Sequence, residues 1–252
     1  MPSSSSEPLS SSEPSSSSEP LSPSRRPRRP WRIVGALILT DVALTFLGAG
    51  IDHGAPELGA DRQQVLDSFV GVGLTARLLG GYLEFVATLV FLAWALLVGR
   101  LLRADGVLAG WLSSAIAAAA VLVGALTLGS VAVEIAAGYD GQQGAAAELL
   151  GVLNDGADVA YFGALGIRGL FLVCVAVAGL TTRSLPAGLC WIGVAVGIVG
   201  FGSPLGAAAG LHQLAYLAGV GWTVALAVIA LSGRPARRAT PAPDAPARSI
   251  AG

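Results

Sequence analysis

Six apolar runs fill the chain between Ile33 and Leu231, and each comes near the length of a helix that crosses a bilayer. They are Ile33 to Ile51, Leu78 to Val98, Trp111 to Ala137, Val159 to Leu180, Ala187 to Pro204 and Leu211 to Leu231. A helix satisfies its own backbone polar groups in lipid and takes about 20 apolar residues to cross the hydrocarbon. The pattern predicts an all-α fold: a polytopic membrane protein with six transmembrane helices in one bundle. Composition excludes the soluble alternative. Hydrophobic residues make up 54% of the 252 and charged ones 12%, with a mean hydropathy of +0.70, too apolar for one soluble core.

Orientation follows from the arginines, because loops rich in them stay on the cytoplasmic side. Arg25, Arg26, Arg28, Arg29 and Arg32 precede the first run, Arg100 and Arg103 follow the second, Arg183 follows the fourth, and Arg234, Arg237, Arg238 and Arg248 lie in the tail. The intervening gaps hold Arg62 and Arg77 against Asp52, Glu57, Asp61, Asp67, Asp140, Glu148, Asp155 and Asp158. Both termini are therefore expected inside. Tyr82, Tyr139, Tyr161 and Tyr216 fall toward the expected outer ends, and Trp31, Trp94, Trp111 and Trp191 toward the inner ends, as interfacial belts require; Trp222 fits neither belt. All 15 basic residues are arginine and alanine and glycine abound, as in GC-rich bacterial genomes, so the expected location is a bacterial plasma membrane.

The ends of the chain carry no core. Ser3 to Pro20 is three hexapeptides, SSSSEP, LSSSEP and SSSSEP, which have no apolar face and are expected to be disordered, as is the Pro, Ala and Arg-rich stretch 233–252. The Arg25 to Arg32 cluster suits topology and anionic headgroups, not nucleic acid. No cleavable signal peptide is expected, since the polar lead is long and lacks a small-residue cleavage site.

Two loops on the expected outer side have local signals. Asp61 and Gln64 have the spacing of a capping box, so a surface helix is expected over 62–77, bending at Gly71 and Gly73. Ala145 to Leu153 is a short apolar segment ended by Asn154, Asp155 and Gly156, which read as a turn. Either segment can pack at the interface or act as a lid.

The sharpest functional signal is charge within the runs: Asp41, Glu84, Glu134 and Arg168. At 1.5 Å per residue they lie roughly 15, 9, 5 and 12 Å below the outer edge. Charge at such depths costs on the order of 2.5 to 3.5 kcal/mol, so these groups should face the interior and each other. Two readings stay open. The cluster lines a path or binding site for a proton or small solute, or else a buried Arg168 pair with Asp41 or Glu84 sets helix register. Outer-face candidates are His53, Asp155, Asp158 and His212; the histidines lack metal-site spacing, so no metal and no cofactor is expected. Cys174 and Cys190 lie in the inner half and read as packing residues. No catalytic motif is present, which predicts a non-enzymatic protein. Gly193 and Gly197 form a GxxxG step that lets the fifth helix approach a neighbour, either in the same chain or in a second copy or membrane partner. The leading expectation is solute or proton-coupled transport, or sensing; its rival is a membrane scaffold subunit that docks through the glycine face.

From Glu148 onward, ELLGVLND, an apolar helix, then TTRSLPAGLCWIGVAVGIVG and a last helix resemble uncharacterised six-helix integral membrane proteins of actinobacteria, related to a bacterial domain-of-unknown-function family. The matching positions are Asn154, Asp155, Arg183, Leu185, Pro186, Trp191 and Gly193, and LEFVATLVFLAWALLVGRLLR extends the likeness to residues 33–231. The resemblance implies the six-helix topology and no activity.

Overall fold

The computed structural model of the chain describes residues 29–52, 60–103, 107–209 and 211–232. The hexapeptide repeat, His53 and the tail from residue 233 lie outside the described residues.

Seven α-helices and one 3-10 turn make up the described chain: α1 Arg29–Asp52, α2 Arg62–Gly71, α3 Leu74–Leu101, α4 Val107–Gln142, α5 Ala147–Thr182, α6 Ala187–Gly202, the turn Ser203–Ala209, and α7 Leu211–Ser232. All but α2 are long and apolar enough to cross a membrane, α6 together with the start of the turn that follows it, as Ala187–Gly206. The protein is an all-helical bundle of six candidate spans, and its lipid-facing surface carries exposed Trp111, Trp191, Ile198, Val199 and Phe201. With an even number of spans, Arg29 and Ser232 share one end of the bundle, called here the terminal end; α2 belongs to the other.

Neighbouring helices form a closed ring in which α1 packs on α3, α3 on α4, α4 on α5, α5 on α7 and α7 back on α1, while α6 packs on α5 and α7. Close approach explains the place of α6. A Cβ on Gly197 would stand 2.7 Å from the Gly169 carbonyl oxygen, and one on Gly193 would stand 2.6 Å from Nε1 of Trp222. Both glycines are therefore filled by helices of the same chain, α5 and α7. Trp222, which fits neither aromatic belt, is buried there and donates its indole N–H to the Leu189 carbonyl at 2.8 Å.

Sharp ends join the long helices. Gly144 adopts φ +83° between α4 and α5, and Arg183 adopts φ +49° after α5, where the Ser184 N–H reaches the Gly179 carbonyl at 3.2 Å. That is a Schellman closure built on arginine, a residue that occupies the left-handed region at some cost. Leu185 then packs against Gly179, and Pro186 starts α6.

Three expectations are corrected. The Asn154, Asp155 and Gly156 turn does not form, because these residues lie inside the continuous helix α5, which begins at Ala147 and not near Val159. Packing overrides local turn propensity there: Asn154 and Ala157 are buried, and the Ser130 hydroxyl of α4 donates to the Ala157 carbonyl at 2.9 Å. The surface helix expected over 62–77 stops at Gly71, and α3 starts at Leu74. Trp94 is not an interfacial belt residue, since it is 1% exposed in the core.

At 36 residues each, α4 and α5 run about 54 Å, well beyond a hydrocarbon core of about 30 Å. Their extensions meet α2 in a small second core of Val65, Phe69, Ala137 and Leu150. The capping box of α2 forms as expected: Asp61 accepts from the Gln64 N–H at 2.9 Å, and Gln64 Oε1 accepts from the Asp61 N–H at 3.0 Å. Arg77 is buried beside this core. Its guanidinium lies 4.7 Å from the Phe69 ring centre and donates to the Ser68 carbonyl at 3.2 Å.

Candidate functional site

The ring encloses a cavity of about 590 Å³, lined by residues of α1, α3, α4, α5 and α7. Each helix supplies its share at helical spacing, so that one face of each turns inward. On α3 the stripe is Glu84, Ala87, Thr88 and Phe91; on α5 it is Asp158, Tyr161, Leu165 and Arg168; on α4 it includes Val123, Thr127, Ser130 and Glu134. Helix α1 adds Asp41 and Thr45, and α7 adds His212 and Tyr216.

All four intramembrane charges expected from the sequence line this one cavity, and so do Asp158 and His212. Asp155 does not: one residue on from the buried Asn154, it is exposed on the other face of α5. Gly193 and Gly197 lie in the α6 contacts and not at the cavity. His53 is outside the described residues.

Toward the terminal end the lining residue Phe91 rests on two core rings. Phe91, Trp94 and Phe171 stand edge to face, with centres 5.2 to 5.5 Å apart, an arrangement in which ring edges meet neighbouring faces favourably. Asp41 lies beside this cluster, 3% exposed, and its Oδ2 accepts the Trp94 indole N–H at 3.0 Å. Of the two acids expected as register partners of Arg168, Asp41 thus takes a neutral donor. Arg168 instead holds its guanidinium 5.5 Å from the Phe91 ring centre and acts on Asp41 only through its field.

The walls carry the remaining polar groups. Thr45 and Thr88 turn their hydroxyls to the carbonyls of Asp41 and Glu84 on their own helices, both at 2.9 Å. Beside Glu134, the Ser130 hydroxyl stands 3.3 Å from a carboxylate oxygen. Toward the α2 end, Asp158 accepts from the Asn154 amide at 3.3 Å and shares its electrostatic surroundings with Asp155 and His212. The His212 ring meets Phe162 edge to face at 5.1 Å, and its buried Nδ1 has no hydrogen-bond partner among the described residues.

Chemically, the site is a cup with four carboxyl groups, one guanidinium and one imidazole on walls that also offer Tyr161 and Tyr216. Among the described residues, no group of three or more His, Cys, Asp and Glu has a geometry that could hold a metal ion. Sequence reasoning overlooked Tyr161 and Tyr216 as lining residues, although they stand at helical spacing from Asp158 and His212. It also overlooked Trp94, three residues beyond Phe91 on α3 and in ring contact with it. Comparison with known protein families, curated proteins and solved structures finds no match for the chain.

Proposed function

We propose that this is a plasma-membrane protein of bacterial origin whose cup binds a small polar solute, for transport or sensing, without enzymatic chemistry. The observation that carries the reading is the cavity itself: about 590 Å³ with acids and an arginine on its walls, within the range of small-molecule sites. Groups that are costly in a membrane are retained where they bind or conduct something polar. Beneath Phe91 an apolar core fills the terminal end of the bundle, so the cup lies toward the α2 end. The scaffold reading loses its docking face, because Gly193 and Gly197 are occupied by Trp222 and Gly169 of the same chain. Arginines at the terminal end, Arg29, Arg32, Arg100, Arg103 and Arg183, support a cytoplasmic location for both termini, so the mouth opens outward.

The test is a single cysteine at Thr127, a cavity-lining position, with Cys174 and Cys190 changed to alanine. A membrane-impermeant methanethiosulfonate reagent should modify it in right-side-out vesicles and not in inverted ones. Reaction from the cytoplasmic face alone, or none from either, would overturn the reading.

A further inference from the structure

We infer that the cup takes a dissolved organic monocarboxylate, whose carboxylate pairs with Arg168 and whose apolar body fills the space beside it; this rests on the solute-binding reading above. The charged groups of the cup differ in what they already hold. Asp41 accepts from Trp94, Asp158 accepts from Asn154, and Glu84 and Glu134 have partners of their own. Arg168 is different. Its guanidinium rests 5.5 Å from the centre of the Phe91 ring and makes no hydrogen bond or ion pair among the described residues. A guanidinium carries five N–H donors and no acceptor, in a planar fork that matches the two oxygens of a carboxylate. What the cup still lacks is acceptor oxygens for this one group.

The surroundings of Arg168 narrow the ligand further. Tyr161 and Tyr216 line the same cup, and each lies in the field of Arg168 and of Glu84, so the arginine and the acids share one neighbourhood. Neither tyrosine hydroxyl has a hydrogen bond among the described residues, which leaves two more donors for the same carboxylate. Acids on the walls oppose a second negative charge, which favours a carboxylate over a phosphate dianion. Arg168 and Tyr216 also border a crevice of about 20 Å³ between α5, α6 and α7, lined by none of the four acids. That space suits a single water, so the ligand lies on the cup side. There Ala87, Val123, Ala164, Leu165 and Leu217 stand on the walls, and the body beyond the carboxylate is therefore apolar.

The experiment uses the full chain in detergent, as Thr127→Cys with Cys174→Ala and Cys190→Ala, and reads the rate of modification by a neutral methanethiosulfonate reagent. Benzoate, benzamide and benzylamine are compared, since they share one body and differ in the group offered to Arg168. Saturating benzoate is expected to slow modification about tenfold, following simple occupancy, and the other two about twofold or less. In Arg168→Gln the benzoate effect should fall to that of benzamide. In Tyr161→Phe/Tyr216→Phe, which keeps the guanidinium, half-protection should need about tenfold more benzoate, which keeps the test decisive if the arginine variant fails to fold. Equal protection by all three probes, protection by benzamide or benzylamine alone, or none from any probe at a reactive cysteine overturns the carboxylate and leaves an open cup. So does benzoate protection that is undiminished in Arg168→Gln. A cysteine that reacts with no reagent in detergent or vesicles overturns the cup reading as well. A membrane fatty acid is separated by reconstitution into phosphatidylcholine vesicles with and without oleate. Protection that follows oleate content, with none from dissolved benzoate, overturns the dissolved solute.

Discussion

Trp94 on α3 donates its indole N–H to Asp41 on α1 at 3.0 Å, so a carboxyl deep in the bundle is held by a neutral aromatic donor and not by an arginine. Both residues are almost fully buried. The bond joins two neighbouring helices of the ring, α1 and α3. It also keeps Asp41 from taking up Arg168, whose guanidinium rests by Phe91.

Removing the donor should therefore cost more than its area. Trp94→Phe strands a buried carboxyl and is expected to destabilise the protein by about 1 to 3 kcal/mol, a range set by unsatisfied buried polar groups. With Asp41→Leu already in place, the same change should cost clearly less. A double-mutant cycle measured by thermal unfolding in detergent should give a coupling of about 1 kcal/mol or more. Additive losses would show that the bond contributes nothing to stability.

The α5 and α6 contact gives a sharper contrast. A Cβ on Gly197 would meet the backbone of α5, at 2.7 Å from the Gly169 oxygen and 2.9 Å from the Val173 nitrogen, and backbone cannot swing aside. Gly197→Ala is expected to lower stability by about 1 to 3 kcal/mol, as overpacking does. Gly202→Ala, with open space around its Cβ, should leave the melting temperature unchanged or slightly higher. Equal effects of the two substitutions would mean that this crossing is not close-packed in the membrane.

Much of this was legible before the structure, and the failures have physical causes. The six spans follow from apolar length, and the α2 start from the Asp61 and Gln64 spacing. Depth alone set Asp41, Glu84, Glu134 and Arg168 at graded levels of the outer half. It could not say which way each side chain faced. Trp94 has the sequence position of a belt residue, but it lies beside Phe91 on α3 and so points inward, where Asp41 takes its N–H. Arg77 looked like a loop charge and is buried against Phe69, because α2 folds back over the helix ends. Asn154, Asp155 and Gly156 carry strong turn propensity, which the α4 contact overrides.

Charge on the cup walls should govern which reagents enter it. With four acids against one arginine, a cationic methanethiosulfonate is expected to modify a cysteine at Thr127 about tenfold faster than an anionic one, given the scale of electrostatic focusing in clefts. Glu84→Gln with Glu134→Gln should bring the two rates within about threefold of each other at low salt, since half of the acids are gone. The ratio should also fall as salt is raised, because mobile ions screen charges that water reaches. A salt-independent ratio would place these carboxyl groups away from the entry path.

The segment α2 is held by little: a capping box, four buried apolar side chains and the Arg77 guanidinium over Phe69. Asp61→Ala removes the reciprocal cap and should cost about 1 kcal/mol, confined to the start of α2. Phe69→Ala removes a fully buried ring from the same small core, with an expected cost of about 3 to 5 kcal/mol if the core behaves as one packed unit. Because α2 rests on the extensions of α4 and α5 and lines no part of the cavity, the loss should stay local. Hydrogen exchange across residues 62–71 should rise strongly in Phe69→Ala and modestly in Asp61→Ala, with exchange in α1 and α7 unchanged. Faster exchange throughout the spanning helices would show instead that this small core supports the whole bundle, through Arg77 and the first turn of α3.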